Sequence, residues 1–247
     1  MKKWEKLPAD MKIDAVGPYY EALEKKKIDL VLKRIFDIIV SGALLILISP
    51  LFLILAIIIK LDSTGPVFFR QLRVTAYGKK FRIFKFRTMI SDAERSGVLV
   101  TAKDDRRITK VGRLIRRYRL DEVPQLLDVF RGTMTFVGVR PEAMKYVEQY
   151  SPEMKATLLL PAGVTNLASI YFKDEDQLLI GESDTERIYL ENILPSKMYW
   201  NLKGIKEFNF FNDIKILFIT VLAVLGKDYR AKMTTASKPE KLGPLNQ

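Results

Sequence analysis

The longest apolar stretch of the chain runs from Ile38 to Ile59, 22 residues without a charge. As a straight helix rising 1.5 Å per residue, this stretch would just cross a bilayer. Ser49-Pro50 lies near its midpoint, where proline removes a helical hydrogen bond and clashes with the preceding turn. The pattern therefore predicts a membrane segment over residues 33–60 that is helical on both sides of a break at Ser49 and Pro50.

Two topologies are open for this segment. Basic residues flank it on both sides, with Lys33 and Arg34 before it and Lys60 after it. Positively charged flanks favour the cytoplasmic side, so one straight span cannot satisfy both ends. A re-entrant hairpin would satisfy them, with the Ser49 hydroxyl bonding a carbonyl that the proline leaves free. The alternative is a spanning helix with a tolerated kink.

Alternating residues predict a β-hairpin after the membrane segment. The stretch "GPVFFRQLRVTAYGKKFRIFKFRTM" has two strand-like runs joined at Tyr77-Gly78. In the second run, period two places Lys85 and Arg87 on one face, ~7 Å apart, which suits the neighbouring phosphates of a diphosphate. The simpler interpretation is two solvated cations on an edge strand.

Paired carboxylates follow in "ITKVGRLIRRYRLDEVPQLLDVFRG". Residues 108–118 are predicted to form a short helix that presents several arginines, Arg117 among them, on one face. Asp121 stands where the N-cap of a second helix belongs, with Glu122 and Pro124 in its first turn and Gly132 after its end. Such acids are usually only caps, but here they follow an arginine cluster.

The remaining sequence completes a prediction of a helix-rich α+β fold. Residues 1–32 are predicted as a polar N-terminal extension, 61–226 as a cytoplasmic catalytic domain and 227–247 as a polar tail. The apolar run in "FNFFNDIKILFITVLAVLG" is too short to span a bilayer, so it predicts an interfacial or core helix.

The net charge and the absence of two residue types limit the possible partners and catalytic groups. The net charge of +12 indicates an anionic partner such as nucleic acid, anionic lipid or a phosphorylated substrate. The chain has no Cys and no His, which excludes thiolate and imidazole chemistry. Carboxylates, Lys, Arg and hydroxyls must do any catalysis, with a hard cation if a metal takes part. Nucleic-acid binding is disfavoured, because it leaves the apolar run unexplained and few aromatics are interleaved with the arginines.

Four motifs in chain order resemble the bacterial sugar transferase family, the monotopic polyprenyl-phosphate phosphoglycosyl transferases. They are "KRIFDIIVSGALLILISPLFLILAIIIKLDSTGPVFFRQLRV", "FRIFKFRTM", "RLDEVPQLLDVFRGTMTFVGVRPE" and "FFNDIKIL". The resemblance implies a re-entrant helix broken at Ser49-Pro50 and soluble parts on the cytoplasmic face of the bacterial inner membrane. It also implies transfer of a phosphosugar from a UDP-sugar to undecaprenyl phosphate, with no role for nucleic acid; it leaves the oligomeric state open.

The resemblance assigns the chemistry to Asp121 and Glu122. In the implied mechanism Asp121 attacks the sugar-bearing phosphorus and expels UMP, and the lipid phosphate then attacks the covalent intermediate. Both carboxylates are candidate ligands of Mg²⁺. The cations expected to bind substrate phosphates are Lys85, Arg87, Arg117 and Arg140.

Two stretches depart from the family pattern. Gly138-Val139-Arg140-Pro141 replaces Gly-Pro-Arg-Pro, and Pro161-Ala162-Gly163-Val164-Thr165-Asn166 replaces Arg-Pro-Gly-Ile-Thr-Gly. The change at residues 161–166 leaves a second hypothesis open, a membrane-anchored binding or scaffold paralogue with weak turnover.

Overall fold

A computed structural model describes residues 1–90, 105–172 and 185–224. Within these ranges the fold is helix-rich α+β, as predicted, with two small sheets. The α-helices are α1 Gly17–Glu24, α2 Lys27–Leu47, α3 Ser49–Asp62, α4 Lys110–Arg117, α5 Gln125–Arg131, α6 Met144–Val147, α7 Leu167–Tyr171, α8 Thr185–Ile188, α9 Leu194–Lys206 and α10 Phe210–Val224. The strands are β1 Phe68–Val74, β2 Lys80–Phe86, β3 Met134–Val137 and β4 Ala162–Thr165.

The apolar segment forms two helices that meet at the predicted break. α2 and α3 are bent by 61° across Ile48, and the Ser49 hydroxyl donates to the Ile46 carbonyl at 2.8 Å. Among the described helices, no single one is long and apolar enough to cross a membrane, whereas this bent pair qualifies by length and composition. The first helix of the pair, α2, begins at Lys27, six residues before the predicted membrane segment; α1 ends at Glu24, and Lys26 is the N-cap residue of α2.

The strands form two separate pairs. β1 and β2 are antiparallel, with Phe68 opposite Phe86 and the turn at Ala76–Gly78, which confirms the predicted hairpin. β3 and β4 are parallel, with Val137 opposite Thr165. Just beyond β3, Gly138 passes so close to Gly163 that a Cβ on Gly163 would lie 2.2 Å from the Gly138 backbone. Glycine at both positions lets the loop that carries Arg140 run close beside β4, where the Gly138 N–H donates to the Thr165 carbonyl at 2.9 Å.

One polar face of α2 fastens the helix to β3 and α10 through what we call the anchor cluster, Lys33, Asp37, Thr135 and Asp213. Lys33 donates to the Val137 carbonyl at 2.6 Å and to Asp213 at 2.5 Å. Asp37 accepts from the Thr135 hydroxyl at 2.6 Å and from the Phe136 N–H at 3.2 Å. Charges are tolerated on this mostly apolar helix because each has a bonded partner.

The same helix also fastens α5. The guanidinium of Arg34 donates to the Val129 and Phe130 carbonyls, 2.8 Å each, at the C-terminal end of α5. The Val129 carbonyl also accepts from the Gly132 N–H at 3.0 Å, so Arg34 adds further donors at a helix end, where the regular helical donors run out. The broken helix pair and the helix that follows Asp121 and Glu122 are thereby linked directly.

The first 24 residues are packed more deeply than a polar extension suggests. Leu7, Met11, Val16 and Leu23 are buried in a cluster shared with α9 and with the 3₁₀ turn Met154–Leu159. Polar residues alternate with these apolar ones, so composition alone did not reveal the buried face. The predicted tail at 227–247 lies outside the described residues.

Candidate active site

The paired carboxylates do not sit at a helix N-cap, so this prediction was wrong. After α4, Arg119 adopts a left-handed backbone conformation, and Leu120–Glu122 form a 3₁₀ turn. Pro124 is the N-cap residue, and α5 begins only at Gln125. Because the chain changes direction at Arg119, Asp121 and Glu122 lie on the connecting turn between two helices rather than on the first turn of one.

Glu122 is held by two cations from distant parts of the chain. Lys85 Nζ lies 3.1 Å from Glu122 Oε1, and Arg140 donates to both carboxylate oxygens. Burial by itself raises the pKa of Glu122, but the charges and hydrogen bonds of Arg140 and Lys85 outweigh it and hold this pKa well below its usual range. Glu122 is therefore ionised at neutral pH.

Asp121 has a different environment from its neighbour. Burial, together with the negative charge of Glu122, raises the pKa of Asp121, while Lys85 and Arg116 act in the opposite direction. Within the described part of the chain Asp121 takes part in no ion pair. Two adjacent carboxylates whose pKa values are driven apart are typical of catalytic pairs.

The two cations reach Glu122 from separate elements. Lys85 lies on β2, and burial lowers its pKa against the opposing effect of Glu122. α5 is fixed to the same strand by Asp128, which accepts from the Phe84 N–H at 2.8 Å. Arg140 arrives on the loop after β3. We call Lys85, Asp121, Glu122 and Arg140 the site cluster; the side chains of Lys85, Glu122 and Arg140 are 21%, 18% and 36% exposed.

Arg87 and Arg117, also predicted to bind substrate, lie elsewhere. The Arg87 guanidinium is buried and donates to the carbonyls of Ile59, Ser63 and Thr64, at the end of α3. Arg117 is exposed at the end of α4, with its guanidinium 5.9 Å from the Tyr118 ring. The structure brings Lys85, Asp121, Glu122 and Arg140 together and leaves the roles of these two arginines as predictions.

Sequence reasoning missed two residues that shape the site. Arg116 is the arginine of α4 whose charge acts on Asp121, whereas the expected substrate-binding residue is its neighbour Arg117. Glu142 accepts from the Tyr189 hydroxyl at 2.8 Å and lies 3.6 Å from Lys197 Nζ. These contacts hold the loop downstream of Arg140. The acidic residue after Arg140-Pro141 was visible in the sequence, but its partners lie about fifty residues away.

Only a small set of metal ligands is available at the turn. No group of three Asp, Glu, His or Cys side chains with metal-binding spacing occurs in the described ranges. Glu122 already has both oxygens occupied by cations. The residues fit a hard cation only in the manner common for Mg²⁺, in which one or two carboxylates and the substrate phosphates share the ligation.

Comparison with known proteins shows the family to which the chain belongs. A family model described as "Bacterial sugar transferase" matches residues 28–227, which include both halves of the broken helix and the whole site cluster. The chain belongs to this family. The resemblance drawn from the four motifs is thus confirmed.

Named relatives extend the comparison. The chain is 39% identical over 197 residues to "UDP-glucose:undecaprenyl-phosphate glucose-1-phosphate transferase" of Klebsiella pneumoniae, covering 78% of this chain and 40% of that protein. It is 34% identical over 197 residues to "UDP-N-acetylgalactosamine-undecaprenyl-phosphate N-acetylgalactosaminephosphotransferase" of Aeromonas hydrophila, covering 78% and 44%. It is 37% identical over 204 residues to "Exopolysaccharide production protein PSS" of Rhizobium leguminosarum bv. phaseoli, covering 80% and 96%. The chain thus spans less than half of the first two relatives.

Proposed function

We propose that this family member transfers a phosphosugar from a UDP-sugar to undecaprenyl phosphate and releases UMP, as a first membrane step of glycoconjugate assembly. The observation that carries the proposal is the site cluster, in which Asp121, which forms no ion pair with the residues the structure describes, lies beside Glu122, which is bound by two cations. The names of the Klebsiella and Aeromonas relatives, both sugar-phosphate transferases acting on undecaprenyl phosphate, support the donor and acceptor.

In the proposed reaction Asp121 is the nucleophile. One Asp121 carboxylate oxygen forms a bond to the sugar-bearing phosphorus, and the bond from that phosphorus to the bridging diphosphate oxygen breaks, so UMP leaves with the electron pair. A phosphate oxygen of undecaprenyl phosphate then attacks the same phosphorus. The acyl phosphate bond breaks, which regenerates the Asp121 carboxylate and leaves a lipid-linked diphosphosugar.

The surrounding charges address the main obstacle, which is repulsion between a carboxylate and an anionic diphosphate. Lys85 and Arg140 lie beside Glu122, and the charge of Arg116 acts on Asp121. When a diphosphate enters, its oxygens can replace Glu122 as partners of Lys85 and Arg140. Arg140 is suited to bridge two phosphate oxygens because its guanidinium is planar and bidentate.

Mg²⁺ is the expected cofactor of this reaction. Asp121 and Glu122 are the protein carboxylates that would hold it together with the diphosphate, and the ion would neutralise charge on the leaving UMP. Glu122 would ligate through an oxygen released when the diphosphate takes over its cations.

The bent helix pair supports a membrane location for the reaction. In the proposed topology α2 and α3 enter the cytoplasmic leaflet of the bacterial inner membrane and return, so that the site cluster faces the cytoplasm near the lipid headgroups. Many large apolar side chains on this pair are exposed, including Ile39, Ile46, Leu47 and Leu53 at 64%, 78%, 75% and 64%. Water would make this exposure costly, whereas lipid would not.

The deciding experiment for the activity is UMP release by the detergent-solubilised full chain. A panel of UDP-sugars is incubated with Mg²⁺, with and without undecaprenyl phosphate, and UMP is followed over time. A UMP burst before the acceptor is added, followed by turnover once it is present, is the expected result. Absence of UMP release with every sugar, while UDP-sugar still binds, would instead support the binding paralogue.

The topology has its own test. The chain contains no Cys, so Lys27→Cys and Thr64→Cys, both at exposed positions, can be labelled one at a time in intact cells with an impermeant thiol reagent. We expect neither to be labelled until the cells are permeabilised. Labelling of one position alone in intact cells would establish a spanning helix and contradict the hairpin.

A further inference from the structure

Residues 1–24 lie outside the part of the chain that the family model matches, which begins at residue 28. They nevertheless contribute fully buried side chains to the core, with Val16 and Leu23 at 0% exposure and Met11 at 1%. We propose that this segment is a positioning element for Arg140, acting through the residue that precedes it, Val139. The inference rests on the proposed function, because it concerns how Arg140 is presented to the substrate.

The segment is fixed to the catalytic domain by polar contacts as well as by packing. The Tyr19 hydroxyl donates to Glu153 at 2.5 Å, and the main-chain N–H of Lys2 donates to the Tyr77 hydroxyl at 2.8 Å. Tyr77 forms the turn of the β1–β2 hairpin, and Glu153 precedes the turn Met154–Leu159. The segment therefore holds two separate parts of the domain in fixed relation.

Val139 connects this packing to the site. Its side chain packs against the cluster that contains Leu7, Met11, Val16 and Leu23. Its carbonyl accepts from the Gly163 N–H at 2.8 Å, so the main chain is fixed to β4 as well. With the side chain and the carbonyl both held, the direction in which the chain leaves Val139 is set, and Arg140 is the next residue.

The loop is held independently on the other side of Arg140. The Glu142 carbonyl accepts from the Val74 N–H at 3.1 Å, and its carboxylate accepts from the Tyr189 hydroxyl. Arg140 thus lies between two residues whose main chain is held in place, Val139 and Glu142. The position of Val139 depends on residues 1–24. If Val139 is held less firmly, the Arg140 guanidinium should move away from the diphosphate. A displacement of about 1 Å of such a group lowers the rate by up to about 100-fold.

The test is a double-mutant cycle on the UMP burst rate. Leu23→Ala removes a fully buried side chain of the segment and should slow the burst roughly 10-fold at a temperature where the protein stays folded. In an Arg140→Ala background the same change should have almost no further effect, because the group being positioned is gone. Circular dichroism and the melting temperature establish that each variant is folded during the assay.

Ile59→Ala is the matched control. Ile59 is 2% exposed, but it packs in a different cluster, with Leu55, Phe86 and Ile115, to which neither Val139 nor Tyr189 contributes. Its effect on the burst should be the same factor in both backgrounds. If Leu23→Ala also lowers the rate by one factor in both backgrounds, or does not lower it at all, the positioning role is wrong.

Val139→Ala weakens the same contact by changing the loop residue instead of the N-terminal segment. It tests the inference even if Leu23→Ala does not fold. It shortens a half-buried side chain, and it should lower the burst rate several-fold in the wild-type background only. An unchanged burst rate in folded Val139→Ala would overturn the inference. A wild-type chain without any burst would instead contradict the proposed function, so the two failures are distinguishable.

Discussion

The anchor cluster and the site cluster are both built from paired opposite charges, yet they differ in exposure and in the type of partner. In the anchor cluster, Lys33 and Asp37 are 6% and 3% exposed and bond to main-chain groups of β3. In the site cluster, the side chains of Glu122 and Arg140 are 18% and 36% exposed and bond to each other. Main-chain partners are fixed by the fold, whereas long side chains can exchange partners with a ligand. The first arrangement suits stability and the second suits binding.

The largest effect on turnover is expected at Asp121, the carboxylate without an ion pair in the described ranges. Asp121→Asn should abolish the UMP burst, a loss of at least roughly 10⁴-fold, because an amide is not nucleophilic towards phosphorus. Intact-protein mass spectrometry after mixing with the UDP-sugar should show one added phosphosugar on the wild type and none on the variant. Asp10→Asn, at an exposed position paired with Lys155, is the matched control and should keep both burst and adduct. An adduct on Asp121→Asn would rule out this nucleophile.

The next largest effect is expected at Arg140. Arg140→Ala should lower turnover by roughly 10²- to 10³-fold if the guanidinium meets charge that grows in the transition state. Arg140→Lys should restore part of it, because a point charge cannot bridge two oxygens in a plane. Steady-state kinetics of both variants, beside Arg131→Ala at an exposed position on α5, check this. Wild-type turnover of Arg140→Ala would place Arg140 with the structural charges of the anchor cluster.

A smaller effect, with a defined pH signature, is expected at Glu122. The burst requires ionised Asp121, so its rate should fall as the pH drops through the raised pKa of Asp121. Glu122 does not produce this fall, since Arg140 and Lys85 outweigh burial and keep its pKa low. Glu122→Gln removes a negative charge that raises the pKa of Asp121, so the acid limb should move to lower pH. The measurement is the burst rate of wild type and Glu122→Gln as a function of pH. An acid limb that stayed at the same pH or moved to higher pH would contradict the effect of Glu122 on the pKa of Asp121.

The smallest effect on turnover, and a clear effect on stability, is expected in the anchor cluster. Asp37→Ala leaves the Thr135 hydroxyl and the Phe136 N–H buried without their acceptor, at a cost of about 1–3 kcal/mol for each group. The melting temperature in detergent should fall, while the burst rate of the molecules that remain folded should match the wild type. A slower burst from fully folded Asp37→Ala would show that the two clusters are coupled.

Local sequence was sufficient for the features that depend on neighbours in the chain. The break between α2 and α3 follows from Pro50, which lies in the first turn of α3 and has no N–H to continue the hydrogen bonds of α2. The β1–β2 hairpin follows from alternation and from Gly78, which adopts a positive φ at the turn without steric cost. Asp121 and Glu122 stood out because a chain without His and Cys offers few other groups for chemistry.

Tertiary structure decided which cations meet these carboxylates and which do not. Lys85 and Arg140 lie 37 and 18 residues from Glu122 along the chain, and only the packing of β2, α5 and β3 brings all three together. Lys85 and Arg87 are both cations and lie two residues apart in the sequence. Lys85 nevertheless contacts Glu122, whereas Arg87 donates to carbonyls at the end of α3. The position of Asp121 on a turn, and the burial of residues 1–24, likewise depend on long-range packing. Periodicity describes a residue's own helix or strand, whereas the partner of a charged side chain is set by which elements pack together.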